Sequence, residues 1–531
     1  MRVQSLVSTA VVAAGLLADS ACAKGSHVPL PANVQKRYES HFEAMSVKRD
    51  TARSDTKDFR FLSKKTEAYR VKELPDVNFD VGELYSGLVP IDKHNTSREL
   101  FFVFQPTIGA PVDEITIWLN GGPGCSSLEA FLQENGRFSW QPGTFAPIEN
   151  PYSWVNLTNV LWVDQPVGTG FSTGTPTATR QEETAEDFVK FFKNFEKLFG
   201  IKKFKIYITG ESYAGRYVPY ISAAFINQND TDYFDLHGAL VYDPVIGAFS
   251  TVQEQLPTYP LIEANTNLFN LNETQMATLE KMHKDCGYEE YIEKYLTFPA
   301  AGVQPVMKET KATCDVLDTA LEYVLAINPC FNIYEISATC PLAWDVLGFP
   351  SVLSYVPPGA DVYFDRADVK KAMHAPANVT WAECANINVF VGTGGPEGEG
   401  DLSLDPIQHV LPQVIEHTNR VLVSNGDYDM IIQTNGTLLA LQNMTWNGKL
   451  GFDERPSKPI DIKIPDLIYQ QAFDDSGYGG QDGPQGIMGV QHYERGLMWA
   501  QTYQSGHMQP MYQPRASYRH LQWLLGRVDE L

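Results

Sequence analysis

Phe204-Lys205-Ile206-Tyr207-Ile208-Thr209-Gly210-Glu211-Ser212-Tyr213-Ala214-Gly215-Arg216-Tyr217-Val218-Pro219-Tyr220-Ile221 is the stretch that decides the fold. Residues 204–209 are β-branched and aromatic and read as a short buried strand. From Arg216 the pattern reads as the start of a helix. The serine between them has Gly210 two places before it and Ala214 two places after. A sharp strand-to-helix turn needs small residues at both places, and Ala214 stands where Gly is commoner. Such a turn lifts the Ser212 hydroxyl out of the sheet and brings backbone N–H groups of the helix start near it. A Gly-x-Ser-x-Ala also arises by chance, so the rest of the chain has to supply the chemistry.

Working outward, Ile115-Thr116-Ile117-Trp118-Leu119 reads as a central buried strand. It runs into Asn120-Gly121-Gly122-Pro123-Gly124-Cys125-Ser126-Ser127, where consecutive glycines let the backbone approach a ligand and aim its N–H groups at an anion. Val160-Leu161-Trp162-Val163-Asp164 is a further strand. Glu182 to Phe199 has helical spacing, with Phe188, Phe191, Phe192, Phe195 and Phe199 on one side as core packing. Leu240-Val241-Tyr242 follows the elbow as another strand. This alternation predicts an α/β class fold, a mostly parallel sheet with helices on both faces. Tyr85–Pro90 and Leu100–Phe104 read as antiparallel neighbours. The alternation lapses over 251–356, which reads as an insertion over the sheet. The core is thereby split into 66–250 and 357–531. The second part resumes with a helical pattern over Val362–His374 and a strand over Arg420–Ser424. Its last strand is Leu497–Tyr503, and a closing helix runs from Pro514 to Leu525.

A serine hydroxyl becomes a nucleophile only when a base takes its proton, and the base needs an orienting carboxylate. Asp429 lies in Asn425-Gly426-Asp427-Tyr428-Asp429, directly after strand 420–424. His507 lies in Ser505-Gly506-His507-Met508, directly after strand 497–503. The topology proposes Ser212, Asp429 and His507, in the chain order Ser, Asp, His. Asp427 competes with Asp429, or braces the turn. Of the eleven histidines, only His507 combines a preceding strand with a Gly-containing loop. His374 and His520 fit surface or packing roles.

The net charge of -23 argues against nucleic acid, which requires a basic footprint, and suits a soluble protein that stays folded in acid. Residues 1–23 read as a secretory signal peptide, with the apolar run Leu6–Ala18 and small residues before Ala23. Residues 24–65 read as a removable pro-segment or a plain extension, with Lys48-Arg49 as a processing site. The C-terminus has no greasy tail of a lipid-anchor signal. Its final Asp-Glu-Leu echoes a retention signal, but Val528 replaces the usual basic residue. No membrane anchor is expected, and the product is read as secreted, or resident in a vacuole or another secretory compartment. Six cysteines remain after the leader, Cys125, Cys286, Cys314, Cys330, Cys340 and Cys384, and imply three disulfides. No Cys-x-x-Cys pair suggests a zinc site. Seven Asn-x-Ser/Thr sites, at Asn95, Asn156, Asn229, Asn272, Asn378, Asn435 and Asn443, could carry glycans.

Trp118-Leu119-Asn120-Gly121-Gly122-Pro123-Gly124-Cys125-Ser126-Ser127, Gly210–Gly215 and Gly506-His507-Met508 resemble the signatures of the serine carboxypeptidases. Asn150-Pro151-Tyr152-Ser153-Trp154 and Asp164–Ser172 are similar to further family stretches. The resemblance spans about 69 to 525 and looks most similar to secreted fungal enzymes of the carboxypeptidase S1 type. It implies an α/β-hydrolase fold, a peptide substrate and an acyl-enzyme, with no metal or cofactor. It assigns the backbone N–H groups of Gly122 and Tyr213 to the oxyanion hole. It assigns Asn120, the Gly121 backbone, Glu134 and Glu211 to the substrate's terminal carboxylate. Two adjacent carboxyls cannot both ionise there, so a protonated one donates, and binding is expected to tighten in acid. Glu129 is expected in the pocket for the leaving residue, favouring a basic one, and Met508 is expected to bind substrate. By analogy Cys125 pairs with Cys384, Cys286 with Cys340, and Cys314 with Cys330. The same scaffold hosts acyltransferases and hydroxynitrile lyases, and a non-catalytic binding module is the remaining rival.

Overall fold

The computed structural model describes residues 59–307, 312–348, 361–393, 400–462 and 486–531. Ten strands build its main sheet: β1 (Tyr85–Asp92), β2 (Asn95–Gln105), β3 (Glu114–Leu119), β4 (Asn159–Asp164), β5 (Lys205–Glu211), β6 (Asp235–Tyr242), β7 (Val421–Gly426), β8 (Lys458–Asp461), β9 (Ile487–Glu494) and β10 (Leu497–Thr502). Their order is β1-β2-β4-β3-β5-β6-β7-β10-β9-β8. The six central strands, β4 through β10 in that order, are mutually parallel. The outer pairs are antiparallel. The expected α/β sheet and its serine-bearing strand are therefore present.

A parallel sheet buried on both faces reads as continuous apolar runs, while the pleat sends alternate side chains to opposite sides. In β4, Leu161 and Val163 join one apolar cluster, and Val160 and Trp162 join the other. In β10, Leu497 and Trp499 divide from Met498 and Ala500 in the same way.

Helix α1 (Gln181–Phe199) covers the first face. Its four inner phenylalanines, Phe188, Phe191, Phe192 and Phe195, are completely buried. Each contributes roughly 1.5–3 kcal/mol by leaving water, and Phe195→Ala would cost about 3–5 kcal/mol. Gly200 ends the helix at φ 71°, a left-handed cap that suits glycine. Helix α2 (Ala214–Gln228) runs from the elbow and packs on the same face.

Between β6 and β7 the chain leaves the sheet. It forms α3 (Leu256–Ala264), α4 (Thr266–Phe269), α5 (Glu273–Asp285), α6 (Tyr288–Tyr295) and α7 (Val316–Ile327). These helices share an apolar cluster of their own, into which Met430 and Leu439 also pack. Helix α8 (Pro514–Leu524) closes the second face through Leu521 and Leu524.

The expected leader 1–23 and the extension as far as residue 58 lie outside the described residues. Within 59–65, Phe61 is buried and packs edge-on to Phe104 at 5.2 Å. The insertion's disulfides differ from the expected pairing. Cys125 joins Cys384, but Cys286 joins Cys314 and Cys330 joins Cys340. Both insertion bridges are local, spanning 28 and 10 residues. Cys286 caps α5 and Cys314 precedes α7, with the Tyr288 hydroxyl donating to the Cys314 carbonyl at 3.0 Å. Asn328 bonds both ends of the smaller loop, at Ala338 O (2.8 Å) and Cys330 N (3.1 Å).

Candidate active site

Ser212, Asp429 and His507 follow the C-terminal ends of β5, β7 and β10 and so emerge at one edge of the sheet. Ser212 holds φ at 62°, a left-handed conformation that a serine adopts only under constraint. Its carbonyl accepts from Gly215 N and Val245 N, and its own N–H donates to Tyr242 O at 2.9 Å. Gly210 is required by the turn, since a Cβ there would sit 2.3 Å from Leu119 O.

The glycine loop passes directly against this elbow. A Cβ on Gly121 would lie 2.5 Å from Tyr213 N and 2.7 Å from Ser212 Cβ. The loop is held from below by Asp164, whose carboxylate accepts from Ser126 Oγ, Ser127 N and Phe171 N at 2.7–3.0 Å. It is held from the side by Cys384 and by Ser126 N donating to Glu383 O.

His507 Nδ1 lies 2.7 Å from Asp429 Oδ2, and both side chains are buried. Asp429 also accepts from Ile431 N at 2.8 Å. A carboxylate only accepts, so Nδ1 carries the hydrogen, and in the neutral imidazole that leaves the lone pair on Nε2. Nε2 is buried with no hydrogen-bond partner among the described residues. Asp427 accepts from Ser505 N at 3.3 Å and braces the His507 loop. His520 is buried on the inner side of α8, and burial pushes its imidazole down to about 3.

Beside Ser212 lies a cluster of acids with no basic side chain bonded into it among the described residues. Asn120 Nδ2 donates to Glu129 Oε2 at 2.8 Å and Glu211 Oε1 at 2.9 Å. Its Oδ1 is taken by the Trp118 indole N–H at 2.7 Å, which fixes the amide's orientation. Glu134 ends a short wide helical turn, Ala130–Glu134, and both its carboxyl oxygens are buried without a hydrogen bond among the described residues. Oxygens of Glu129, Glu134 and Glu211 lie within 4.8 Å of one another. Such a triangle could hold a hard cation or hold protons. The Asn120 N–H groups aimed into it repel a cation and fit the second use.

Burial first, and then the charges of Glu211 and Glu129, raise the Glu134 carboxyl well above the usual range. Burial and then Glu129 raise Glu211 in the same way. Burial, with the Asp345 charge behind it, pushes Glu129 up to about 8. These groups are therefore protonated in acid.

The serine carboxypeptidase family model matches residues 75–527. The chain is 65% identical to serine-type carboxypeptidase F of Aspergillus niger over 100% of both chains. The chain belongs to the serine carboxypeptidase family. This serine carboxypeptidase is a hydrolase that acts as an exopeptidase on peptides. It is 43% identical to a probable serine carboxypeptidase of Arthroderma benhamiae over 88% of each chain. Its fold matches a solved structure of Kex1(delta)p, a prohormone-processing carboxypeptidase from Saccharomyces cerevisiae. That match has a TM-score of 0.66 and 24% identity, and it covers 87% of this chain and 96% of that one. It is an α/β-hydrolase fold.

In this carboxypeptidase the structure gathers Asn120, Gly121, Gly122, Glu129, Glu134, Glu211, Ser212 and Tyr213 around one loop and one elbow. Met508 is buried directly after His507. Several buried acids were not anticipated, Asp345 beside Glu129 among them, and two bear on the loops of the site. Glu383 has one carboxyl oxygen unpartnered among the described residues and is raised by burial and by Glu129. Asp243 follows β6 and bonds the backbone beneath Asp429. Neither carries a motif; only the strand end preceding Asp243 could have drawn attention to it. No described helix is long and apolar enough to cross a membrane.

Proposed function

We propose that this carboxypeptidase releases single C-terminal residues in acid through an acyl-enzyme on Ser212. His507 Nε2 takes the Ser212 proton as Oγ attacks the scissile carbonyl carbon. The oxyanion that forms meets the N–H groups of Gly122 and Tyr213, which are worth most when charge appears. His507 then gives its proton to the departing amine, and the C–N bond breaks. Water attacks the acyl carbon as His507 accepts its proton, and His507 returns that proton to Ser212 Oγ as the acyl–Oγ bond breaks and the shortened peptide leaves. Asp429 keeps the proton on Nδ1 and stabilises the imidazolium.

The single observation that carries this reading is Asn120 donating into a buried carboxyl cluster beside Ser212. In acid, Glu134 and Glu211 are donors to the substrate's terminal carboxylate, alongside Asn120 and the Gly121 N–H. As pH rises they lose their protons and repel that carboxylate. Glu129 is a third member of the cluster. A basic leaving residue brings a positive charge that favours ionised Glu129, so such residues are accepted better.

The signal-like leader and the three disulfides support a route through the secretory pathway, ending outside the cell or in a vacuole. The test is hydrolysis of a blocked dipeptide and of its C-terminal amide, in acid and at neutral pH, with fluorophosphonate labelling of Ser212. Cleavage of the acid alone, fastest at low pH, and loss of labelling in Ser212→Ala are expected. Equal cleavage of the amide would sink the carboxylate-recognition reading.

A further inference from the structure

Asp243 is completely buried, two positions before Val245 on the turn that braces the Ser212 elbow. Its φ of 41° puts a non-glycine residue in the left-handed region. Strain of this kind persists only where surrounding bonds over-determine it.

Those bonds reach three loops. Asp243 Oδ1 accepts from Gly426 N at 2.8 Å, at the end of β7 and three residues before Asp429. Asp243 Oδ2 accepts from Gln509 Nε2 at 2.7 Å, two residues past His507. The Asp243 N–H donates to Ser424 O at 2.7 Å, and its neighbour Tyr242 O receives the Ser212 N–H. Gln509 Oε1 in turn accepts from Ser424 Oγ and Thr502 Oγ1, both at 2.8 Å, so its amide cannot turn round.

Every bond to the carboxylate comes from a neutral donor, and no described Lys, Arg or His forms an ion pair with it. A buried carboxylate without a counter-charge is costly. Burial, and behind it the charge of Asp429, raises the Asp243 carboxyl well above the usual range. Stability alone does not favour an acid here.

We infer that Asp243 is a positioning residue: one buried carboxylate sets the spacing of Ser212, Asp429 and His507 by binding the backbone below Asp429 and the side chain beyond His507. This rests on the reading of those three residues as the reacting set. It touches no substrate and acts through the loops it ties.

The experiment is a charge swap across the Asp243–Gln509 contact. In Asp243→Asn an amide N–H faces either Gly426 N–H or the Gln509 amide, and one bond is lost. In Gln509→Glu two carboxyls meet. In the double variant an amide faces a carboxylate and both bonds return. Displacement of about 1 Å is worth about 10²-fold, so each single variant is expected to lose about that much kcat. KM stays near the wild-type value, and kcat of the double variant rises above both singles.

A kcat unchanged in either folded single variant, with only a lower melting temperature, overturns the proposal. So does a double variant no better than the singles. If Asp243→Asn does not fold, Gln509→Ala removes the His507 arm, together with the bonds from Ser424 and Thr502, and leaves the Gly426 bond in place, and an unchanged kcat there is equally fatal. Ser212→Ala and His507→Ala run alongside. Activity surviving in them refutes the reading of the reacting set, whereas their inactivity with an intact Asp243→Asn refutes the positioning role alone.

Discussion

Glu129 accepts a 2.8 Å hydrogen bond from the Asn120 amide nitrogen that also serves Glu211. Its carboxyl therefore belongs to the recognition cluster, where burial has pushed it up to about 8. A neutral Glu129 offers a C-terminal lysine little charge, and an ionised one offers a full charge. The ratio of Lys to Leu released should therefore climb with pH in the wild type and stay flat in Glu129→Gln. Product analysis on paired peptides from acid to neutral pH measures both slopes. Parallel slopes would reject a charge role for Glu129.

Glu134 is kept protonated by burial and by the Glu211 and Glu129 carboxyls beside it, so it brings a proton to the incoming carboxylate. An amide donates whatever the pH. Glu134→Gln should thus flatten the rise of KM with pH while leaving KM in acid within a few-fold of wild type. Steady-state kinetics across the acid-to-neutral range would show it. An unaltered KM profile would remove Glu134 from substrate binding.

Asp429→Asn would preserve the shape of the 2.7 Å contact but allow the wrong imidazole tautomer. A loss of about 10⁴ in kcat is expected, with KM little changed. A loss below tenfold would point to another orienting group, and Asp427 is the neighbour to try next.

Stability should fall as the solution leaves acid. Glu129, at about 8, and Asp164, pushed by burial to about 7, sit above their unfolded values, as do Glu134 and Glu211. Between about pH 4 and those raised values the folded chain binds more protons than the unfolded one, so stability declines with pH. Asp368, held low by Arg366, acts oppositely only in strong acid, and His520, held down by burial, acts oppositely up to about pH 6.5 but is outnumbered by the raised acids. Calorimetry should show Tm falling steadily between about pH 5 and pH 8. A flat or rising Tm over that span would contradict the buried protonation.

What could be read beforehand follows from where information lies in a chain. β3, β4, β5 and β7 are buried on both faces, so each prints as an apolar run that ends at a glycine or polar loop. The elbow, Asp429 and His507 come from that edge and were legible together. β8 and β9 were not anticipated. Only Ile460 in β8 is buried, and β9 alternates weakly through Gly489, Gln491 and His492 at an outer position of the sheet. Disulfide partners depend on how the insertion helices pack, which cysteine spacing does not encode. Asp243 and Glu383 look like turn acids in the chain, and only folding reveals them as buried.

The bridge from Cys125 to Cys384 closes 259 residues and pairs with backbone bonds from Ser126 to Glu383 and from Ala385 to Gly124. It welds the strip bearing Gly122 to the strip bearing Glu383. Turnover should consequently drop on reduction, and Cys125→Ala/Cys384→Ala should be slow with or without reductant; full activity in that variant would show the weld to be dispensable. Until that bridge closes, the two strips are held together there by backbone hydrogen bonds alone, so full competence is expected only of the oxidised chain.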